Sequence, residues 1–102
     1  MRMWNVDPSK MCRQHLLGEH LEMHMFIGAV KAGKSLQGYI DNKLVDPQQI
    51  KQRHDTLVQE MKRRNYFHNS PIDFDCSQLP IGTVNIHESI AILHSRCDKC
   101  SV

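Results

Sequence analysis

The sequence predicts an all-α fold, a compact single domain of about three helices with long irregular connections. Three apolar stripes at helical spacing support this prediction, and each stripe follows a residue that can cap a helix. The stretches between them, 34–45 and 66–84, contain Gly, Pro, Asn, Asp and Ser without the sustained alternation of a strand. The chain has 102 residues, 40% of them hydrophobic and 24% charged, which is the composition of one globular domain spanning residues 1–102.

The first helix is predicted to run from about Pro8 to about Ala32. Asp7-Pro8 is typical of a helix start, because Asp accepts an unpaired backbone N–H and Pro is tolerated at the first position. At about 100° per residue, one face of this helix is apolar and contains Cys12, Leu16, Met23, Ile27 and Val30. The opposite face contains Arg13, His20, His24 and Lys31, and we expect it to be solvated or to face phosphates.

The second helix is predicted from the repeated start signal Asp46-Pro47 to Asn65, and it ends in the basic cluster Lys62-Arg63-Arg64. The third helix is predicted to begin after Asn85. Glu88 lies three positions beyond this residue, as in a capping box, and a helix of about a dozen residues should follow.

Composition restricts the environment and the partners of the chain. The sequence contains neither an apolar run long enough to span a membrane nor a secretory leader, so we expect a cytoplasmic protein, nucleoid-associated or in a phage-infected cell. In a reducing compartment, the four cysteines should be free thiols or metal ligands rather than disulfides. The net charge of +2 permits binding to nucleic acid but does not require it.

Residues 28–35 match the phosphate-loop pattern G-x-x-x-x-G-K-[ST]. A phosphate loop needs a strand before it and a helix directly after it, so that backbone amides converge on the phosphates. Here an amphipathic helix precedes the match, and Gly38 interrupts the segment that follows. Nucleotide binding is therefore not predicted.

Two patterns could bind metal. His20 and His24 are spaced i, i+4 on one helix face, although their order does not match H-E-x-x-H, and we expect both to be solvated. Cys97 and Cys100 have the spacing of half a zinc site. Spacing alone does not show whether another ligand completes this site, the candidates being Cys76, Cys12 and His94. Free thiols are the default expectation, and no metal is assigned.

A polar stripe along the edge of the apolar face of the first helix is more informative. His15, Glu19 and Glu22 lie within about 80° of one another, together with Met11 and Phe26. Carboxylates and an imidazole so close to a core face are costly unless they are paired or used chemically. The alternative is an ordinary helix flank with both glutamates in solvent.

The same residues carry a resemblance. Met1-Arg2, the segment 14–19 (Q-H-L-L-x-E), Glu22 and the segment 28–30 (G-A-V) resemble the opening of the phage pyrimidine-dimer DNA glycosylase family, the dimer-excising type of endonuclease V. The segment 87–92 (H-E-S-I-A-I) and Arg96 are similar to the family's last core helix. These matches bracket nearly the whole chain, while the middle is divergent and shorter.

The resemblance implies a DNA glycosylase with coupled abasic-site lyase activity. In this family, the α-amine of the first residue attacks the deoxyribose C1′, forms a Schiff base and permits β-elimination. An α-amine suits this role because its unperturbed pKa is about 7.7–8.0, against about 10.4 for lysine. Removal of Met1 before the bulky Arg2 is not expected, so the Met1 amine falls on the catalytic position.

The resemblance also implies roles for other residues. Glu22 falls on the essential glutamate, which stabilises the sugar cation and moves protons. Arg2 falls on an arginine that binds phosphate or base, His15 on an active-site or sugar-phosphate contact, and Glu19 on a supporting position. The remaining candidates for phosphate contacts are Arg13, Lys31, Lys34, Lys62, Arg63 and Arg64.

The chain also departs from the family pattern. Leu21 and Met25 occupy positions where the family has arginines, and its aromatic, basic C-terminal tail is not matched. The expected substrate is double-stranded DNA with a pyrimidine dimer or another altered base, bound by a monomer without a cofactor and without a membrane. Two alternatives remain open: a non-catalytic helical module that binds DNA or protein, and a small zinc-stabilised domain.

Overall fold

Helices and short 3-10 turns make up the regular structure of the computed structural model, which describes residues 1–68 and 70–102. The α-helices are α1 (Arg13–Lys31), α2 (Gln37–Asp41), α3 (Ile50–Arg63) and α4 (Ile86–Arg96). The 3-10 turns are Pro8–Lys10, Pro47–Gln49 and Cys76–Gln78. No strand occurs in the two described ranges, so the predicted all-α class is confirmed.

The first helix begins later than the sequence predicts. Asp7 caps only a 3-10 turn, accepting the Ser9 N–H at 3.0 Å. The chain is then extended at Met11 (φ −83°, ψ 141°), and α1 starts at Arg13 with the Cys12 thiol as its N-cap. The Met11 side chain is buried, so a break in the helix here directs it into the core.

The predicted loop 34–45 contains the five-residue helix α2, which is too short to show a helical apolar period in the sequence. The second predicted helix is divided into the turn Pro47–Gln49 and α3. At α4 the capping prediction is confirmed, because the Asn85 side chain accepts the Glu88 N–H at 3.0 Å. The connection after α3 is irregular as predicted, with the Cys76–Gln78 turn near its middle.

The core lies where α1 packs on α3, and the N-terminal segment runs through it. Met3 is fully buried, and its N–H donates to the Leu44 carbonyl at 2.7 Å. The largest fully buried apolar side chains are Phe26, Met3, Leu16, Met23, Ile50, Leu57 and Leu93. Because residue 3 is held in this way, Met1 is kept close to the surface of α1.

A buried ion pair joins α1 to α3. The Arg53 guanidinium donates to both oxygens of Glu19, at 2.7 Å and 2.9 Å. Glu19 Oε2 also accepts the Trp4 N–H at 3.1 Å. A carboxylate that is 1% exposed is thus paired and hydrogen-bonded, the condition under which a buried charge is tolerated.

The basic end of α3 is tied to the chain around α1. Glu60 accepts from both Arg63 and Arg64, and the Arg63 hydrogen bond lowers the pKa of Glu60 to about 2. Arg64 Nη2 also donates to the carbonyls of Pro8 and Met11, at 3.1 Å and 2.6 Å. Arg64 therefore holds the turn before α1 in place.

Among the described residues, none of the helices combines the length and the apolar composition that crossing a bilayer requires.

We predict that Arg53→Met lowers the free energy of unfolding by about 3–5 kcal/mol, because it leaves the Glu19 carboxylate buried without its partner. Urea unfolding followed by circular dichroism measures this loss. The matched control on the same helix is Lys51→Met, which breaks an exposed pair with Asp55 at 2.9 Å and should change stability little. Equal losses in both variants would contradict a stabilising role specific to the buried pair.

Candidate active site

A cleft of about 630 Å³ opens where the N-terminal segment crosses α1. Its walls come from the N-terminal segment, from α1, from Leu44 shortly after α2 and from the end of α4. The lining residues are Met1, Arg2, Trp4, Gln14, His15, Gly18, Glu19, Leu21, Glu22, Leu44 and Arg96. A larger groove of about 780 Å³ between α3 and the segment 73–77 contains none of the predicted catalytic residues. The chemistry predicted from sequence therefore belongs to the first cleft, whose volume is usual for a ligand site.

The Met1 amine and the Glu22 carboxylate face each other in this cleft. Met1 N lies 3.7 Å from Glu22 Oε1, and the two side chains are 17% and 27% exposed. Burial raises the pKa of Glu22 above its usual value, although the positive Met1 amine acts in the opposite direction. The pair is thus partly desolvated yet open to a ligand.

Two backbone contacts bring the amine to Glu22. The Met3 N–H is bonded to Leu44 O, and the Trp4 N–H is bonded to Glu19. Glu19 and Glu22 are three residues apart on α1, so they lie on neighbouring positions of one helix face. The buried Glu19 therefore anchors the N-terminal segment, and Glu22 is left free to act in the cleft.

Arg2 is held at the cleft by contacts with Trp4 and Ser89. Its guanidinium lies 4.0 Å from the centre of the Trp4 ring, and Nη2 donates to Ser89 Oγ at 3.1 Å. Arg2 Nε is buried and has no hydrogen-bond partner within residues 1–68 and 70–102. The planar guanidinium is therefore fixed in orientation at the wall of the cleft.

His15 lies between the cleft and a group of thiols. Its ring packs edge-on against Trp4, with ring centres 5.9 Å apart. Its Nδ1 lies 3.2 Å from Cys12 Sγ and 3.5 Å from Cys100 Sγ. The δ edge of the ring therefore faces sulfur, and only the rest of the ring is available to a ligand in the cleft.

The basic residues predicted to contact phosphates do not line the cleft. Arg13 packs over the Tyr66 ring at 5.2 Å, and Lys31 and Lys34 are exposed at and beyond the C-terminal end of α1. Lys62 is exposed, whereas the guanidinium groups of Arg63 and Arg64 are occupied by Glu60. The structure thus brings Met1, Arg2, His15, Glu19 and Glu22 together, and it places the other six predicted contacts elsewhere.

The cleft also contains residues to which the sequence analysis gave no role. Arg96, at the end of α4, lines the cleft, and Ser89 on the same helix holds Arg2. Arg96 was part of the resemblance, but helix periodicity alone gave no sign that α4 reaches α1. Trp4, which positions both Arg2 and His15, had no sequence signal.

The expectation that His20 and His24 are solvated is wrong. Both are half-buried, and they pack with His54 of α3 and with His68. Burial and the neighbouring imidazoles lower the pKa of His20 to about 4, so this ring is uncharged at neutral pH. The reason is that α3 packs across the face of α1 that periodicity marked as polar.

All four cysteines are free thiols, as the default expectation had them, but three of them are gathered at one point. Cys12, Cys97 and Cys100 gather around His15, while Cys76 is buried elsewhere and takes no part. His94 contacts the Val102 carbonyl instead of joining the thiols. Of the three candidates for completing the Cys97/Cys100 pair, the fold selects Cys12.

Comparison with known proteins gives one match. A sequence model of the family described as pyrimidine dimer DNA glycosylase matches residues 1–74, which is most of the chain. No curated protein and no solved structure matches. The matched range contains Met1, Arg2, Glu19 and Glu22 of the cleft, whereas Arg96 lies outside it. The resemblance seen in the sequence is thus confirmed, and the chain belongs to the pyrimidine dimer DNA glycosylase family.

Proposed function

We propose that this chain removes a pyrimidine dimer or another altered base from double-stranded DNA and then cleaves the strand at the abasic site. The Met1 α-amine is the nucleophile, and Glu22 is the carboxylate that serves it. The observation that carries this proposal is the 3.7 Å approach of Met1 N to Glu22 Oε1 inside the cleft. The proposal requires that Met1 carries a free amine.

The reaction begins when the neutral amine attacks C1′ of the deoxyribose. The nitrogen–carbon bond forms, the glycosidic bond breaks with its electron pair going to the base, and the amine gives up a proton. Opening of the sugar ring then yields the Schiff base. A positioned carboxylate can stabilise the cationic sugar and carry these protons, and Glu22 is the carboxylate within reach of the amine.

Strand cleavage follows from the same intermediate. Loss of a C2′ proton from the Schiff base expels the 3′ phosphate by β-elimination, and hydrolysis of the remaining imine frees Met1. Glu22 is suited to accept that proton because burial raises its pKa and makes the carboxylate a stronger base than one in solvent. The step needs no cofactor.

Two arginines flank the reacting pair and are suited to bind the DNA backbone. Arg2 lines the cleft as a guanidinium held in place over Trp4, and Arg96 is exposed at the cleft. Both come from segments other than α1, so a phosphate bound between them would lie across the cleft mouth. The proposal assigns to these two residues the phosphate contacts nearest the sugar.

We predict that one extra residue ahead of Met1 abolishes borohydride trapping on abasic-site DNA, because an amide nitrogen lacks the nucleophilic lone pair of an amine. Gel detection of the covalent protein–DNA adduct measures this, with the unextended chain as control. Trapping by the extended chain at the native rate would overturn the assignment of Met1. Absence of trapping by either form would instead favour a non-catalytic DNA-binding module.

Glu22→Gln should reduce base excision and strand cleavage roughly 100-fold or more, the scale expected for loss of a proton carrier and charge stabiliser. The readout is single-turnover cleavage of lesion-bearing duplex. The matched control is Asp73→Asn, which removes an exposed carboxylate that does not line the cleft and should leave the rate unchanged. Unchanged cleavage by Glu22→Gln would contradict its catalytic role.

A stability measurement separates lost chemistry from a damaged fold. A carboxyl whose pKa is raised by folding costs stability once pH exceeds its unfolded-state pKa, and this cost grows until pH passes the folded-state pKa. Glu22→Gln stays neutral at every pH. It should therefore unfold at higher urea concentration than wild type at neutral pH, with the difference vanishing below the ordinary pKa of glutamate.

Arg96→Ala should weaken binding to abasic-site duplex and reduce the slope of log K against log salt by about 0.9, the contribution of one phosphate contact. Trapping at saturating DNA should persist, since Arg96 takes no part in amine attack. Fluorescence anisotropy at several salt concentrations measures the slope. Lys51→Ala removes an exposed charge remote from the cleft and is the control. An unchanged slope in Arg96→Ala would remove this residue from the interface.

A further inference from the structure

Three of the four cysteines converge on one imidazole beside the cleft. Cys12 Sγ and Cys97 Sγ are 3.9 Å apart, and His15 Nδ1 lies 3.2 Å from Cys12 Sγ and 3.5 Å from Cys100 Sγ. The four ligand atoms all lie within 4.8 Å of one another. They come from the start of α1 and from the tail after α4, so tertiary structure alone brings them together.

The three distances of 3.2, 3.5 and 3.9 Å are close to the edges of a tetrahedral site. Zinc–sulfur bonds of about 2.3 Å place two sulfur ligands roughly 3.8 Å apart, and a sulfur and a nitrogen ligand roughly 3.6 Å apart. Two backbone N–H groups also point at the sulfurs, His15 N to Cys12 and Cys12 N to Cys100. Such donors stabilise thiolates, which are the form that binds metal.

We propose that Cys12, His15, Cys97 and Cys100 bind a structural Zn²⁺ that fastens the C-terminal tail to the start of α1. Binding releases the thiol protons to solvent and leaves a closed Cys₃His set with no open position for catalysis. Cys97 directly follows Arg96, so the ion also fixes Arg96 at the cleft. Cys97 and Cys100 lie outside the matched family range of residues 1–74.

The test is the zinc content of the full chain, measured by mass spectrometry after dialysis, together with the spectrum of the Co²⁺-loaded protein. Wild type should show a thiolate-to-cobalt charge-transfer band in the near ultraviolet, and Cys97→Ser should lose that band and one equivalent of zinc. Cys76→Ser is the matched control, because Cys76 is outside the cluster, and it should keep both.

A band of wild-type intensity in Cys97→Ser would overturn the proposal, as would its absence from the wild-type protein. Circular dichroism checks that the variant is folded. If Cys97→Ser is unfolded, the proposal is tested on the wild-type protein. A strong chelator should lower the melting temperature of the wild type and make three of its thiols reactive toward a thiol reagent. Rapid reaction of those thiols in the zinc-treated protein would likewise overturn the site.

A cluster of four histidines lies on a different face of α1, and independent observations indicate that it is a second metal site. His20 and His24 from α1, His54 from α3 and His68 place one ring nitrogen each within 4.8 Å of the others. The Nε2 atoms of His54 and His24 are 3.1 Å apart, close to the roughly 3.4 Å edge of a tetrahedral site with metal–nitrogen bonds near 2.1 Å. Four of the seven histidines are thus gathered at one point.

The hydrogen bonds around this cluster show which nitrogens face its centre. His54 Nδ1 lies 2.9 Å from the Asp55 carboxylate, which assigns the proton to Nδ1. His54 Nε2 then faces His24 Nε2 at 3.1 Å and the Ser70 carbonyl at 3.2 Å without a proton of its own. The Nε2 atoms of His20 and His68 are buried and lack a partner in the described part of the chain. Buried ring nitrogens without a partner are costly, and a cation bound between the rings would satisfy them.

We infer that His20, His24, His54 and His68 bind a divalent transition-metal ion, for which zinc is the simplest occupant of an all-imidazole site. Asp55 is the outer carboxylate that orients His54. A cavity of about 420 Å³ reaches His54 and His68 and gives the ion access from solvent. The ion would join α1, α3 and the segment after α3 at one point.

This site is tested by the same metal measurement with a different set of variants. The wild-type chain should hold two equivalents of zinc, and the paired change His20→Gln and His68→Gln should lose one while keeping the thiolate-to-cobalt band. His87→Gln, an exposed histidine outside both clusters, is the control and should keep two. Two equivalents in the paired variant, or no more than one in wild type with the thiolate band intact, would overturn the four-histidine site.

Discussion

The buried pairing of Glu19 with Arg53 is the interaction on which the rest of the structure depends. Glu19 accepts two hydrogen bonds from α3 and one from the backbone of Trp4, so a single carboxylate ties together α1, α3 and the N-terminal segment. An unpaired carboxylate at this depth would be prohibitively costly, and the three elements are therefore held in register. The position of the Met1 amine is a consequence of this pairing.

Glu22 in the cleft differs from Glu19 in its effect on stability. Glu22 is partly buried beside the Met1 amine, and burial raises its pKa, which means that keeping it ionised works against folding. A carboxylate in solvent would not carry this cost, but it would also be a weaker base. The structure thus places the buried, paired Glu19 and the cleft-lining Glu22 three residues apart on α1, in different environments.

The two proposed metal sites flank the same helix and add constraints of the same kind. The Cys₃His set joins the tail to the start of α1 next to the cleft, and the four-histidine set joins α1 to α3. A domain of 102 residues buries a modest core, and metal ligation is a common way to supplement it. The cleft lies beside the Cys₃His set, and the ion bound there would fix Arg96 at the edge of the cleft.

The sequence by itself determined the helical class, the cap of α4 at Asn85 and the candidate pair Met1 and Glu22, because these depend on local periodicity, capping chemistry and an ordered set of motifs. It also indicated that Glu19, if it faces the core, is either paired or used chemically, but it did not identify Arg53 as the partner. Only the tertiary structure decided that His20 and His24 face His54, and that Cys12 rather than Cys76 meets Cys97 and Cys100. Helical periodicity ranks positions around one axis, whereas the side chains that meet across two elements depend on how those elements pack, and that is a property of the whole chain.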